Sequence, residues 1–417
     1  MKPITPPSSK LQSPAALGYR MPAEWVPHAA TWLAWPHNAT DWPGKLEPIH
    51  WVYGEIVRKL APGEMVRLLV HSAAIERKAR SVLKQVGVDL KRVQFLRWPT
   101  NRGWTRDCGP IFVTRHAGDA ASPLPAPPGE ATALPRPLRS SQPPASGRTE
   151  KAILHFQFNA WARYPDWRLD NMLPERAAKK FGHPLLPVLR PNVGAGLSRP
   201  SKPATRARYG RPKSAPARDL FVLEGGAIDV NGHGAVLTTE ECLLDHKTQA
   251  RNPGLTHGQI EYALRGALGV SKVLWLGRGI AGDDTHGHVD DLCRFVNRTT
   301  VVMCREGNPR DANYRPLQEN WERIAGLRLE DGSHIQAVPL PMPAPLFFDS
   351  QRLPASYANF YIANAAVIVP TFNDPADRIA LGTLAELFPD RPVVGIHSVD
   401  LAWGFGALHC LTQQEPQ

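Results

Sequence analysis

The 417-residue sequence lacks paired cysteine motifs and long apolar segments. An odd number of cysteines, far apart and without C-x-x-C spacing, argues against a disulfide framework and a structural zinc site. No run of 18 apolar residues occurs and the first residues contain no apolar signal core, so we predict neither a membrane span nor a secretion signal. We therefore expect a soluble protein of the reducing cytoplasm. The five cysteines are Cys108, Cys242, Cys293, Cys304 and Cys410.

Acidic residues are scarce in two stretches, and these stretches explain the net charge of +11. Residues 191–218 contain seven lysines or arginines and no acid, and residues 117–149 contain three arginines against two acids. Together they hold eight of the eleven net charges. The rest of the chain is nearly balanced, so the charge belongs to these stretches and does not by itself indicate a nucleic-acid or membrane partner.

Short apolar runs alternate with helical patterns, which is typical of a mixed α/β protein. The unit that recurs about five times is two or three short strands with one helix. We predict a flexible tail over residues 1–16 and a single domain over residues 17–417. Two surface inserts interrupt this domain: residues 117–149, rich in proline and alanine, and residues 186–218, which are basic.

Local signals also predict individual elements. Thr256 as N-cap and Gly269 just beyond the last turn predict a helix over residues 256–268. Another helix is predicted over residues 168–181, and a strand over residues 220–223.

Four segments place acidic or nucleophilic residues beside glycines, and each has a structural as well as a functional interpretation. The first can be an ion pair in a loop, the second a solvated strand end, and the fourth a buried, inert cysteine. In the third, His286, His288 and Asp290 alternate as metal ligands on one face of a strand would; acid–base catalysis with cation binding is the other interpretation. The segments are residues 104–110 (WTRDCGP), 223–226 (LEGG), 283–291 (DDTHGHVDD) and 404–414 (GFGALHCLTQQ).

A cysteine, a histidine and several carboxylates together restrict the chemistry. A cysteine–histidine pair is the usual combination of a thiolate nucleophile and its base. Carboxylates beside a cysteine raise the thiol pKa unless the substrate carries positive charge. A planar guanidinium meets this requirement, because it pairs with carboxylates through two parallel hydrogen bonds.

These segments, together with residues 238–243 (TTEECL) and 359–364 (NFYIAN), resemble motifs of the agmatine deiminase branch of the guanidine-modifying superfamily. The similarity extends from about residue 21 to residue 414 and is interrupted by the two inserts. It implies an α/β fold, a five-bladed α/β propeller of ββαβ units around a central active-site pocket. It implies no metal and no organic cofactor, which weakens the metal interpretation.

Carried over by motif, the resemblance makes Cys410 the nucleophile and His288 the general acid and base. Asp107 and Asp290 would bind the guanidinium, while Glu224 would hold His288 and share the substrate. The implied reaction converts agmatine and water to N-carbamoylputrescine and ammonia, a step in putrescine and polyamine biosynthesis.

Other positions bear on the substrate. Trp104 would line the pocket and stack on the substrate chain, although plain packing explains it equally well. Phe405 replaces a glycine of the family pattern, Ala407 also departs from that pattern, and His286 stands where the family commonly has aspartate. We expect Phe405 to narrow the pocket or tilt its loop, and His286 to remove a negative charge near the substrate.

Three alternatives stay open at this stage. The substrate could be another guanidine, such as free arginine or a peptidyl C-terminal arginine. An amidinotransferase would share the covalent intermediate but exclude water. A catalytically silent protein could instead bind nucleic acid or an acidic surface through the basic inserts. We expect a small cationic guanidine as partner, no nucleic acid and no membrane, and we consider a homodimer.

Overall fold

The computed structural model describes residues 12–116, 149–191 and 220–417. Most of both predicted inserts and of the predicted tail lies outside these residues. Thr149 begins a strand, and Leu186 and Pro187 complete another. The described edges of the two insert ranges therefore belong to the sheet structure. Within the described ranges, no helix is long and apolar enough to cross a membrane.

The strands are short. They are β1 (His28–Ala34), β2 (Met65–Leu69), β3 (Val93–Leu96), β4 (Ile111–His116), β5 (Thr149–His155), β6 (Leu185–Pro187), β7 (Asp229–Val230), β8 (Ala235–Thr239), β9 (Lys272–Leu276), β10 (Cys293–Phe295), β11 (Thr300–Arg305), β12 (Gln336–Pro341), β13 (Phe347–Phe348), β14 (Gln351–Arg352), β15 (Tyr361–Ile362), β16 (Val367–Thr371), β17 (Val393–His397) and β18 (Gln413–Pro416).

The α-helices alternate with the strands. They are α1 (Leu46–Leu60), α2 (Ala73–Gln85), α3 (Thr105–Cys108), α4 (Leu173–Phe181), α5 (Glu240–Leu244), α6 (His257–Leu268), α7 (Tyr314–Gly326), α8 (Ala376–Leu387) and α9 (Leu408–Leu411).

Five small mixed sheets of the described chain follow one scheme, in which an antiparallel strand pair is followed by a helix and a strand parallel to the second. In the first, β4 pairs antiparallel with β5, α4 follows, and β6 pairs parallel with β5. The same ββαβ scheme describes β7 to β9, β10 to β12 and β15 to β17. In the fifth sheet, β18 pairs with β1, and β2 and β3 extend it in parallel. The predicted α/β class and its recurring unit are confirmed.

The first and last strands of the described chain pair in one sheet, and this pairing positions Cys410. Strand β18 runs antiparallel to β1, with Trp32 opposite Gln413. The buried carboxylate of Glu415 accepts from Trp32 Nε1 at 3.1 Å and from Arg67 Nε at 2.7 Å. Because β18 begins three residues after Cys410, these bonds hold the cysteine helix α9 against the N-terminal sheet.

Local signals predicted some helix ends well and others poorly. Helix α6 has the predicted Thr256 cap, with a capping box to Gln259, and ends at Gly269 in the left-handed conformation. The helix predicted over 168–181 begins at Leu173, because Pro174 fits only in a first helical turn. The strand predicted over 220–223 forms only isolated bridges.

Candidate active site

The five predicted catalytic side chains are all buried and form one cluster. Each is held in a short helix or beside a tight turn, and none lies within a strand, so its direction is set by local backbone geometry. The residues are Asp107 in α3, Glu224 before the 3-10 turn Gly225–Ala227, His288 before the 3-10 turn Val289–Asp291, Asp290 within that turn, and Cys410 in α9.

His288 lies at the centre of three carboxylates. Its Nδ1 is 3.8 Å from Asp107 and 4.0 Å from Asp290, and its Nε2 is 3.7 Å from Glu224. Neither ring nitrogen has a hydrogen-bond partner among the described residues. Burial alone would lower the pKa of His288, but Asp107, Glu224 and Cys242 outweigh it and hold the pKa well above its ordinary range.

Asp107 is fixed by two donors. Its Oδ1 accepts from the backbone nitrogen of Gly226 and its Oδ2 from Trp161 Nε1, both at 2.9 Å. Burial raises the pKa of Asp107 to about 6, although His288 opposes the shift. The two hydrogen bonds therefore fix the orientation of the Asp107 carboxylate, and His288 offsets only part of the pKa rise that burial causes. Sequence reasoning missed Trp161, whose backbone φ of 57° lies in the left-handed region.

Glu224 has a permanent cationic partner. Arg251 Nε donates to both carboxylate oxygens, at 3.1 and 3.3 Å, and both side chains are fully buried. Burial alone would raise the pKa of Glu224, but Arg251 and His288 lower it below its usual value. Glu224 is thus held ionised next to His288. Nothing in the sequence near position 251 indicated this partner.

The Cys410 thiol is surrounded by carboxylates and receives one hydrogen bond from an amide. Its Sγ receives a hydrogen bond from Asn359 Nδ2 at 3.0 Å and is 3.8 Å from Asp290 Oδ2. Burial raises the thiol pKa well above its usual value, and Asp290, Asp291 and Asp107 add to the effect. One oxygen each of Asp290 and Asp291 has no hydrogen-bond partner among the described residues. The site therefore keeps carboxylate oxygens free to accept hydrogen bonds beside its nucleophile.

A second buried network supports Asp290 and was not predicted. The ring nitrogens of His409 lie 2.6 Å from Asp290 Oδ2 and 2.8 Å from Glu24 Oε2. Glu24 also accepts from Arg106 at 3.0 Å and from Arg294 at 2.9 Å. Burial alone would raise the pKa of Asp290, but His409 lowers it. Glu24 stands alone between apolar residues in the sequence, so no local pattern marks it.

A cavity of about 180 Å³ gives access to Cys410 and Asp107. Trp104 lines it, which agrees with the predicted pocket position of this residue. Phe405 lines it as well, with a backbone φ of 63° where glycine is favoured. The remaining lining residues are Thr40, Asp41, Arg102, Trp161, Tyr164, Asp284, Thr285 and Gly404.

His286 does not share this site. Its Nε2 lies 2.9 Å from Asp245, and it is not among the residues that line the cavity. The expectation that His286 removes a negative charge near the substrate stays a prediction. The three residues of the metal interpretation are not brought together, because His286 pairs with Asp245 whereas His288 lies beside Asp107 and Asp290.

Comparisons with known proteins identify the family of the chain. The model of the Porphyromonas-type peptidyl-arginine deiminase family matches residues 20–416. The chain belongs to this family. It is similar to the agmatine deiminase of Pseudomonas aeruginosa (strain LESB58), with 30% identity over 98% of each chain. The agmatine deiminase of Pseudomonas syringae pv. tomato is also 30% identical, over 97% of each chain.

Solved structures of the family share the fold. The agmatine deiminase of Enterococcus faecalis superposes with a TM-score of 0.76 and 27% identity, over 97% of this chain and 98% of that one. A cysteine-to-serine variant of the C. jejuni agmatine deiminase, described with substrate bound, gives a TM-score of 0.72 and 28% identity over 96% of each chain. The resemblance inferred from the motifs is thereby confirmed.

Proposed function

We propose that this deiminase-family protein hydrolyses a small guanidine, converting agmatine and water to N-carbamoylputrescine and ammonia. One observation carries the proposal: Cys410 and His288 lie among buried carboxylates that keep unpaired oxygens next to the thiol. Such a site is poorly suited to a neutral substrate, because the carboxylates beside the thiol disfavour a thiolate unless the substrate brings positive charge.

The charge of the site supports a guanidinium substrate. A guanidinium brings positive charge and several N–H donors, and the free oxygens of Asp290 and Asp291 are the acceptors it needs. Asp107, whose orientation is fixed by Gly226 and Trp161, would face the same group. Binding of the cation would lower the pKa of the Cys410 thiol, so that the nucleophile forms when substrate is present.

The reaction then proceeds in two steps. The Cys410 thiolate attacks the guanidinium carbon and forms a C–S bond, and the C–N bond to one amino group breaks as His288 gives that nitrogen a proton. Ammonia leaves and an S-alkylthiouronium remains. His288 next takes a proton from water, and the resulting hydroxide adds to the same carbon. The C–S bond then breaks and releases the thiolate, while the added hydroxyl loses its proton to the released ammonia and becomes the ureido oxygen.

The other predicted residues take supporting roles. Glu224, held ionised by Arg251, would orient His288 and keep it protonated for ammonia departure. Trp104 would form the wall along the substrate chain. Asn359 would stabilise the thiolate through its hydrogen bond to Sγ.

The size and charge of the cavity favour agmatine over the alternatives. Pockets for drug-sized ligands have volumes of about 300–1,000 Å³, so a cavity of about 180 Å³ suits a small molecule better than a peptide. Of the two nearby arginines, Arg163 pairs with Asp284 and Arg102 with Asp41. Neither cation is left unpaired for the carboxylate of free arginine.

We also propose the propeller arrangement, the cytoplasmic location and the oligomeric state that the resemblance implies for this chain. The five ββαβ sheets would be arranged as blades of a propeller around the cavity, with the meeting of β18 and β1 joining the two chain ends. A reducing cytoplasmic location is consistent with the free thiols of all five cysteines. A homodimer without nucleic-acid partners completes this proposal.

The test is formation of ureido product and ammonia from agmatine and from arginine, measured side by side. Cys410→Ala should abolish turnover, whereas Cys293→Ala, which removes an equally buried thiol outside the cavity, should retain it. Turnover of agmatine that persists in Cys410→Ala would contradict the assigned nucleophile. No product from agmatine with folded wild-type protein would contradict the function.

A further inference from the structure

Two carboxylates line the cavity apart from the proposed catalytic residues, and only one of them has a partner at both oxygens. Asp284 Oδ1 lies 2.8 Å from Arg163 Nη1, and its Oδ2 accepts from Tyr164 at 2.7 Å. Asp41 uses Oδ1 to accept from Arg102 Nη1, but its Oδ2 has no hydrogen-bond partner in the described part of the chain. Asp41 is only 5% exposed, so bulk water hardly compensates this oxygen.

A buried carboxylate oxygen without a donor is unfavourable and requires an explanation. Burial raises the pKa of Asp41 to about 7 despite the neighbouring Arg102, as expected for a carboxylate whose charge is poorly compensated. A second cation at Oδ2 would remove this penalty. A carboxylate at Oδ2 would increase it.

Asp41 is also held rigidly with respect to the nucleophile loop. The next residue, Trp42, packs against Trp104 with ring centroids 5.4 Å apart and donates to Leu401 O at 2.9 Å. Gly404 and Gly406, which precede Cys410, pass so close to these two rings that an added Cβ would lie 2.7 Å from a ring atom. The two tryptophans therefore set the spacing between Asp41 and the thiol.

We propose that Asp41 Oδ2 binds a cationic group at the end of the substrate opposite the guanidinium. The pocket would thus select guanidines that carry a terminal ammonium, with Cys410 at one end and Asp41 at the other. The assignment rests on the proposed deiminase function and names a specificity residue for it. Arg102, which stacks over Tyr164 at 4.1 Å from the ring centroid, would hold Asp41 in place without reaching the substrate.

The test compares two substrates on Asp41→Asn and wild type: agmatine, and n-butylguanidine, which has the same chain length without the ammonium. A hydrogen bond between charged groups corresponds to about a 10- to 100-fold change. Asp41→Asn should raise KM for agmatine by about that factor, at least tenfold more than for n-butylguanidine. Asp390→Asn, which removes an arginine-paired carboxylate that does not line the cavity, is the matched control.

The outcomes separate the two proposals. Equal losses on agmatine and n-butylguanidine would overturn the role of Asp41, since a general distortion affects both substrates. Wild type that uses n-butylguanidine as well as agmatine would also overturn it, and this comparison stands even if Asp41→Asn does not fold. Wild type that turns over neither guanidine would instead refute the deiminase function and the subsite with it.

Discussion

Replacing Gly226 with alanine should disable catalysis without removing any reacting group. Gly226 is not at a positive φ, so alanine can adopt its backbone conformation and the effect is purely steric. An added Cβ would lie 2.5 Å from His288 Nδ1, 2.9 Å from Asp107 Oδ1 and 3.1 Å from Asp290 Oδ2. Three proposed site residues therefore meet at this one glycine.

The size of the effect follows from these distances. To reach an ordinary contact of 3.4 Å, the fully buried His288 ring must recede by about 0.9 Å. A misplacement of about 1 Å can cost roughly 100-fold in rate, and overpacking of a buried site costs about 1–3 kcal/mol of stability. We expect kcat on agmatine to fall by about 100-fold, with a moderate decrease in the free energy of unfolding.

The assay is ureido-product formation at saturating agmatine, combined with urea unfolding. Gly382→Ala in α8 is the control, because its added Cβ would contact nothing within 4 Å. Normal kcat for folded Gly226→Ala would refute the reasoning, since His288 would then not need the position that the structure gives it.

Two further predictions concern the thiol and its carboxylates. Asn359→Leu removes the donor to Cys410 Sγ, so the rate of thiol alkylation by iodoacetamide at neutral pH should fall about 10- to 100-fold; an unchanged pH–rate profile would contradict this. Asp107→Asn should be inactive and should lose less stability than wild type as the pH rises. Because burial raises the pKa of Asp107 to about 6, its contribution to stability is present at low pH and is lost as the pH rises through 6. In urea unfolding, the free energy of unfolding of wild type relative to the variant should fall by up to about 3 kcal/mol between pH 4 and pH 8; the same pH dependence in both proteins would contradict it.

Much of the fold could be predicted because its signals are local. Thr256 and Gly269 mark the ends of α6 through bonds within a few residues, and the structure confirms both. Helix α4 was predicted too long at its start. Pro174 indicates that a helix begins close by, but the sequence does not say at which residue the first turn begins. The backbone turn at His286 was likewise invisible, and it separates that residue from His288.

The proposed reacting groups could be predicted from the sequence, because Cys410, His288 and their carboxylates lie in short motifs with recognisable chemistry. The groups that surround them could not, because they come from distant parts of the chain. His409 meets Glu24 across 385 residues of sequence, and no local pattern carries information over that separation. Folding buries Asp41 beside the cavity and gives a donor, Arg102, to only one of its two carboxylate oxygens. The other oxygen is left unpaired as a result. Burial and pairing arise from packing between distant segments, and they set the charge that the substrate must neutralise.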